Sequence, residues 1–327
     1  MKAILYRTYG PPDVLRLEDV EQPTPGEGEV LVGIRAASVN PLDWHLMRGE
    51  PAVMRPMTGL RRPKDPRFGV DLAGEVEAVG TGVTRFQPGD AVFGSSSGAF
   101  AEYVCAREKE LARKPANIAF EQAAAVPVAG LTALQGLRDR GRVQPGQKVL
   151  INGAAGGVGT FAVQIAKSFG ADVTGVCSTR NVDMVRSIGA DRVVDYTGED
   201  FTRSGQRYDL IFDCVANHPL SRCRRVLTRQ GMYILVGGSR GRWIAPFPRA
   251  IAALLLSRFV SQNLFLMLAK ISAEDLAVMG ELMQAGQVTP VIDRRYPLSE
   301  VPEAIRYLEE GHARGKVVIN VSGDAAA

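Results

Sequence analysis

Cysteine and histidine are scarce in this chain, with four cysteines and three histidines among 327 residues. Cys105, Cys177, Cys214 and Cys223 show no Cys-x-x-Cys spacing, so neither a disulfide framework nor a structural zinc cluster is signalled. Reduced, partly buried thiols of a cytoplasmic protein are the expectation. Long hydrophobic runs are lacking too: none reaches the ~20 residues of a spanning helix. The nearest, 250–269, is interrupted by Arg258 and several polar residues. Met1-Lys2-Ala3-Ile4-Leu5-Tyr6 enters a strand-like pattern without the apolar core of a signal peptide, so no integral membrane segment is expected. Charge of one sign is absent as well. A net charge of +4 helps attract an anionic ligand but makes no basic stripe for nucleic acid.

What is present fits about two domains of ~150 residues each. Apolar residues make up 46% and charged residues 23%, as in ordinary globular chains.

The most informative stretch is 147–167. Val149-Leu150-Ile151 is a short apolar β-type run, followed by Asn152-Gly153-Ala154-Ala155-Gly156-Gly157-Val158-Gly159. Val158, Phe161, Ala162, Ile165 and Ala166 then recur at helical spacing. Strand, glycine turn and helix form the context a dinucleotide fingerprint requires, here as Ala154-x-Gly156-x-x-Gly159. Glycines admit the backbone close to a pyrophosphate, and the helix N-terminus directs unpaired N–H groups at it.

On either side the texture differs. Residues 1–120 read as short strands between turns such as Pro23-Thr24-Pro25-Gly26 and Gln87-Pro88-Gly89-Asp90. The expectation is a β-rich, barrel-like domain, with 51–67 as a surface loop. From Glu121 strands and helices alternate. Asp172–Cys177, Arg192–Asp195, Tyr208–Asp213 and 231–236 are expected strands of a doubly wound parallel sheet. The apolar 242–270 reads as core or oligomer interface, with a cavity wall or a membrane-resting patch as alternatives. Ser272 caps a helix running to Gln284, and Lys316–Val321 is a last strand returning to the first domain.

Taken together, the run from Gly146 to Lys167, Val39-Asn40-Pro41-Leu42-Asp43-Trp44, and Gly311-His312-Ala313-Arg314-Gly315-Lys316 resemble the zinc-free quinone oxidoreductase branch of the medium-chain dehydrogenase/reductases. The likeness extends to zeta-crystallin and to the chloroplast-envelope and reticulon-interacting mitochondrial members. It covers nearly the whole chain. It implies an α/β fold: a Rossmann domain over 123–270, and a GroES-like domain over 1–122 completed by 271–327.

The zinc alcohol dehydrogenases of that superfamily hold a catalytic metal with a cysteine, a histidine of Gly-His-Glu, and a third ligand. Here the corresponding residues are Asn40, Val70 of Gly69-Val70-Asp71, and nothing suitable in Val126-Pro127-Val128. A catalytic zinc needs three converging protein ligands, so no metal is expected.

An NAD site would place an acid at the end of the second strand; this chain has Ser178-Thr179-Arg180. Hydroxyls and a guanidinium suit a 2′-phosphate, and Tyr196 falls where relatives carry a tyrosine beside it. NADPH is therefore the expected cofactor, held by Ala154, Ala155, Gly156, Gly157, Val158, Gly159, Ser178, Thr179, Arg180, Tyr196 and, from the C-terminal motif, Lys316.

The resemblance places Asn40 and Asp43 near the nicotinamide, with turn and helix-cap roles as alternatives, the cap being favoured for Asp43. His45 stands where relatives carry tyrosine or lysine; it is a candidate proton donor or a packing residue. Without a Lewis acid, an electron-poor acceptor is expected: a quinone or an α,β-unsaturated carbonyl. Reduction of alkenal or enoyl double bonds, and a nucleotide-binding scaffold with vestigial catalysis, stay open. A homodimer is expected from the relatives.

Overall fold

A computed structural model describes residues 1–236 and 261–321. Most of the apolar stretch 242–270, with its interface and cavity-wall readings, therefore lies outside the described residues.

Contacts group Met1–Leu131, Ile271–Gly286 and Pro290 onward into one unit. Thr132–Lys270 and Gln287–Thr289 form the second. The sequence reading put the first division after 122. Helix Phe120–Ala124 packs on strands Glu29–Val39 and Asp71–Val79, which keeps it in the first unit. Gln164 draws the later piece into the second. Its amide donates to Thr289 O at 3.0 Å and accepts from Thr289 N at 2.8 Å.

The first unit is built on a seven-stranded sheet, as alternating valine, isoleucine and polar residues dictate. Its order is Ile292–Pro297, Lys316–Asn320, Glu29–Val39, Asp71–Val79, Ala91–Ser95 and Leu111–Arg113, with Tyr103–Arg107 also on Glu29–Val39. All pairs are antiparallel except Ile292–Pro297 with Lys316–Asn320. Strand Glu29–Val39 shifts register after Leu31 and again after Ile34. Such bulges bend a strand; this one pairs along its length with Asp71–Val79, and on its other edge first with Tyr103–Arg107 and then with Lys316–Asn320. Val30, Val32, Ile34, Leu72, Phe100 and Val317 fill the interior. The segment expected as a bare loop, 51–67, carries a 3₁₀ turn at Ala52–Met54 and an α turn at Arg55–Thr58.

Among the described residues the second unit holds six parallel strands: Arg192–Asp195, Asp172–Cys177, Lys148–Asn152, Tyr208–Asp213, Leu227–Leu235 and Asn263–Leu266. The winding reverses between Lys148–Asn152 and Tyr208–Asp213. In a doubly wound sheet that reversal opens the ligand crevice at the carboxyl ends of the strands.

Candidate functional site

The glycine turn lies at this reversal. Strand Lys148–Asn152 ends at Gly153, whose φ of +85° belongs to the left-handed region. Gly153 N and Ala154 N donate to Val176 O at 3.1 and 3.0 Å, tying the turn to the neighbouring strand. Helix Gly157–Ser168 then starts at Gly156 with no side chain capping it. Its first N–H groups have no intrahelical acceptors, which leaves them for an anion. A Cβ on Gly159 would stand 2.1 Å from Gly153 O, so only glycine lets helix and turn approach this closely. Ala154 and Ala155 are buried beneath the turn, while Gly156, Gly157 and Val158 are partly open.

Asp213, at the end of the strand across the reversal, organises the opposite wall. Its Oδ1 accepts from Asn152 Nδ2 at 2.8 Å, Val215 N at 3.0 Å and Ala216 N at 2.7 Å. Tyr233 OH donates to its Oδ2 at 2.6 Å. These bonds hold Ala216 at φ +59°, a left-handed conformation that alanine seldom adopts. Neither Asn152 nor Asp213 was singled out from the sequence. The only signal was their position at the ends of apolar runs.

At the far side, Ser178, Thr179 and Arg180 follow strand Asp172–Cys177, and Tyr196 follows Arg192–Asp195, the strand beside it. Thr179 and Thr197 share a 2.9 Å hydroxyl contact, and Tyr196 N donates to Cys177 O at 3.0 Å. The residues expected around a 2′-phosphate are thus gathered on one edge, with Thr179, Arg180 and Tyr196 exposed. Asp195 also belongs to this edge. Hydrogen bonds from Thr179 and Thr197 hold its carboxyl below the usual range.

A second polar cluster lies within the first unit. Asn40 caps helix Pro41–Arg48, and its N–H donates to Asp43 Oδ2 at 2.7 Å. Asn40 Nδ2 donates to Asp71 Oδ2 at 2.8 Å, as does Ser38 Oγ at 3.0 Å, while Val128 N donates to Asp71 Oδ1 at 3.0 Å. Lys316 Nζ donates to Asn40 Oδ1 at 2.6 Å and reaches Asp71 Oδ2 at 3.4 Å. Lys316 is 3% exposed, and Asp43 and Asp71 are wholly buried. Burial raises the Asp43 carboxyl to about 8 and also raises that of Asp71. Burial lowers Lys316, against the pull of the two carboxylates.

This cluster shows where three of the expected site residues lie. Lys316, expected at a cofactor phosphate, is enclosed where its neighbour Val317 pairs with Val39, and is bonded to Asn40 and Asp71. Asn40 is 1% exposed, with both ends of its amide engaged, so it presents no polar atom to a ligand. Asp43 acts as a helix cap, though its Oδ1 is buried with no partner. His45 stands apart from these hydrogen bonds. Its ring stacks on Trp44 at 3.7 Å, and burial lowers its pKa, which keeps the imidazole neutral near pH 7.

The alcohol dehydrogenase GroES-like domain family matches residues 26–116, and the zinc-binding dehydrogenase family matches 188–319. The chloroplastic quinone-oxidoreductase QR1 of Triphysaria versicolor is 35% identical over 98% of both chains. The chain belongs to the quinone oxidoreductase branch of the medium-chain dehydrogenase/reductases. Another member, the chloroplastic NADPH-dependent alkenal/one oxidoreductase of Arabidopsis thaliana, is 35% identical over 98% of this chain and 79% of its own. The crystal structure of Escherichia coli quinone oxidoreductase complexed with NADPH superposes with a TM-score of 0.84 at 26% identity, covering 98% of this chain and 100% of that one.

For a member of this family, two groups invite comparison with the residues present. A dinucleotide fits the turn, whose uncapped helix and Gly159 contact leave backbone room for phosphate. Zinc does not fit. Asn40 and Asp71 spend their polar atoms on each other and on a cation already in place, and among the described residues no three metal-ligating side chains cluster.

Proposed function

We propose that this chain is an NADPH-dependent, zinc-independent reductase of quinones or α,β-unsaturated carbonyl compounds. The observation that carries the reading is the uncapped glycine turn at the sheet reversal, with hydroxyls and a guanidinium, rather than an acid, following the second strand. NADPH, when bound, supplies the hydride. Gly156, Gly157, Val158 and Gly159 hold the pyrophosphate with backbone N–H groups, and Ser178, Thr179, Arg180 and Tyr196 receive the 2′-phosphate. Asp213 fixes the wall opposite the turn, so the bound cofactor meets a preorganised surface.

Asn40, which the resemblance places where zinc relatives carry a ligand cysteine, is bonded here to Asp71 and Lys316 instead. This supports an acceptor reactive without a Lewis acid, which a conjugated carbonyl is. Asn40, Asp43 and Lys316 act here as positioning residues. Reduction of alkenal double bonds is the second reading, favoured by the relative of that name. A cytoplasmic site is supported by the four free thiols. A homodimer is supported by the strand Asn263–Leu266, which is the last of its sheet on that side among the described residues.

The test is stopped-flow mixing of NADPH-loaded protein with a panel of quinones and a panel of enals. Rapid nicotinamide oxidation by either panel supports the reading. Tight NADPH binding with no turnover of any acceptor replaces it with a nucleotide-binding scaffold.

A further inference from the structure

Residues 51–64 carry four basic side chains (Arg55, Arg61, Arg62 and Lys64) and no acidic one. The segment also holds three of the large apolar side chains most open to water: Val53 at 53%, Met57 at 72% and Leu60 at 69% exposed. Its base is firmly built. Tyr9 OH donates to Gly59 O at 2.7 Å and contacts Thr58 Oγ1 at 3.1 Å. Arg55 lies over the Tyr9 ring at 5.0 Å and donates from Nε to Gly49 O at 3.0 Å. Lys64 N closes the loop on Thr58 O at 2.9 Å. Gly59 is required there, since a Cβ would fall 1.9 Å from Arg62 O. The anchored base leaves Met57, Leu60, Arg61 and Arg62 outside.

Arg61 and Arg62 contrast with the ion-paired arginines of this protein. Arg7, Arg35, Arg48, Arg67, Arg113 and Arg306 each face a carboxylate. Among the described residues none stands within ion-pair distance of Arg61 or Arg62. Exposed apolar tips beside uncompensated cations match one environment, the headgroup layer of an anionic bilayer. Methionine and leucine leave water there and guanidinium groups meet phosphate and carboxylate. An acidic protein partner is the alternative occupant, and the test below separates the two.

We propose that residues 53–62 form an interfacial loop that docks this protein on anionic lipid surfaces, with Met57 and Leu60 entering the headgroup layer and Arg61 and Arg62 held by lipid phosphate and carboxylate groups. Because the loop is already ordered, docking requires little folding of the segment. The attachment is peripheral and reversible, and salt weakens it. It is independent of the reductase reading and is measured without turnover.

The experiment is co-sedimentation of the intact protein with vesicles of phosphatidylcholine alone and with about a third phosphatidylserine. Binding to the mixed vesicles only, lost at about 0.5 M salt, is expected. Each arginine near such a surface is worth roughly a five-fold change in partitioning, so Arg61→Glu/Arg62→Glu loses at least ~25-fold. Met57→Ser/Leu60→Ser weakens binding at every salt concentration. Arg107→Glu/Lys109→Glu, an equal charge change at exposed positions outside the loop, retains it. All of these side chains are solvent-facing, and unchanged thermal melting confirms folding. Absence of sedimentation, equal binding to both vesicle types, or equal losses in the two charge-reversed variants overturns the proposal. Retention on immobilised polyglutamate without vesicle binding overturns it in favour of an acidic protein partner.

Discussion

Lys316 donates a 2.6 Å hydrogen bond to Asn40 Oδ1 from 276 residues away in the chain. An ammonium can only donate, so the bond fixes which end of the Asn40 amide faces which neighbour. Oδ1 turns to the lysine and Nδ2 to Asp71 Oδ2. The helix start, the middle strand and the C-terminal strand of the first unit are thereby joined through one buried cation. Of the two buried carboxyl groups, Asp71 receives that ammonium directly along with three other donors and is the better satisfied.

Removing the cation exposes that dependence. Lys316→Met leaves Asp71 buried and uncompensated, and is expected to destabilise the first unit by about 3–5 kcal/mol. Adding Asp71→Asn removes the orphaned charge and recovers part of the loss. Urea midpoints of the wild type, both single variants and the double variant measure the coupling. Additive losses would show that lysine and aspartate do not act as a pair.

Asp43 sets a pH dependence with a definite sign. Burial raises its folded pKa from the usual 3.8 to about 8, so the folded state binds a proton the unfolded state releases. Its contribution is therefore fully present below about pH 4 and is lost as pH rises to about 8, at no more than ~1.4 kcal/mol per unit. Tyr6, Asp71 and Lys316 are the charged or titratable groups around it. Tyr6 is pushed up to about 12 and stays neutral across this window. Asp43→Asn keeps an acceptor for the Asn40 N–H and cannot ionise. Melting temperatures across pH 5–8 should fall more steeply for the wild type than for this variant, and parallel curves would refute the assignment.

These features show where sequence reasoning stops. Strands Asp172–Cys177, Arg192–Asp195 and Tyr208–Asp213 were legible to the residue, because apolar runs bounded by turns determine them locally. So was the Ser272 cap, whose Oγ accepts from Asp275 N at 3.2 Å, three residues on. The glycine turn was equally legible, since its chemistry is contained within a few consecutive positions. Lys316 was not. A basic residue in a terminal motif reads as surface, and only the pairing of Val317 with Val39 carries it inside. Asp213 escaped for the same reason: its partners Asn152 and Tyr233 come from two other strands.

Cofactor selectivity should reside in Arg180. A charge-assisted bond to phosphate is worth roughly 1.5–3 kcal/mol, so Arg180→Ala should raise the KM for NADPH about 10- to 100-fold. NADH has no 2′-phosphate, and its KM should scarcely move. Steady-state kinetics with both nucleotides decide this. Equal losses would mean that the guanidinium serves the fold or the shared part of the dinucleotide.

Gly159 tests the turn itself. The Cβ of Gly159→Ala would meet Gly153 O at 2.1 Å and Ala154 Cα at 2.9 Å, both on the chain entering the turn. No side chain can yield there, so either the helix start moves away from the turn or the turn opens. Both outcomes displace the N–H groups of Gly157 and Val158 from a bound pyrophosphate. Fluorescence titration with NADPH should show affinity falling at least ~100-fold, the value of two lost charge-assisted hydrogen bonds. Gly146→Ala serves as a contrast. Its φ is +79°, but no atom lies within 4 Å of the added Cβ. That variant should pay a modest stability cost and keep its nucleotide affinity. If both variants bind NADPH as the wild type does, the turn is a structural element alone and the cofactor site lies elsewhere.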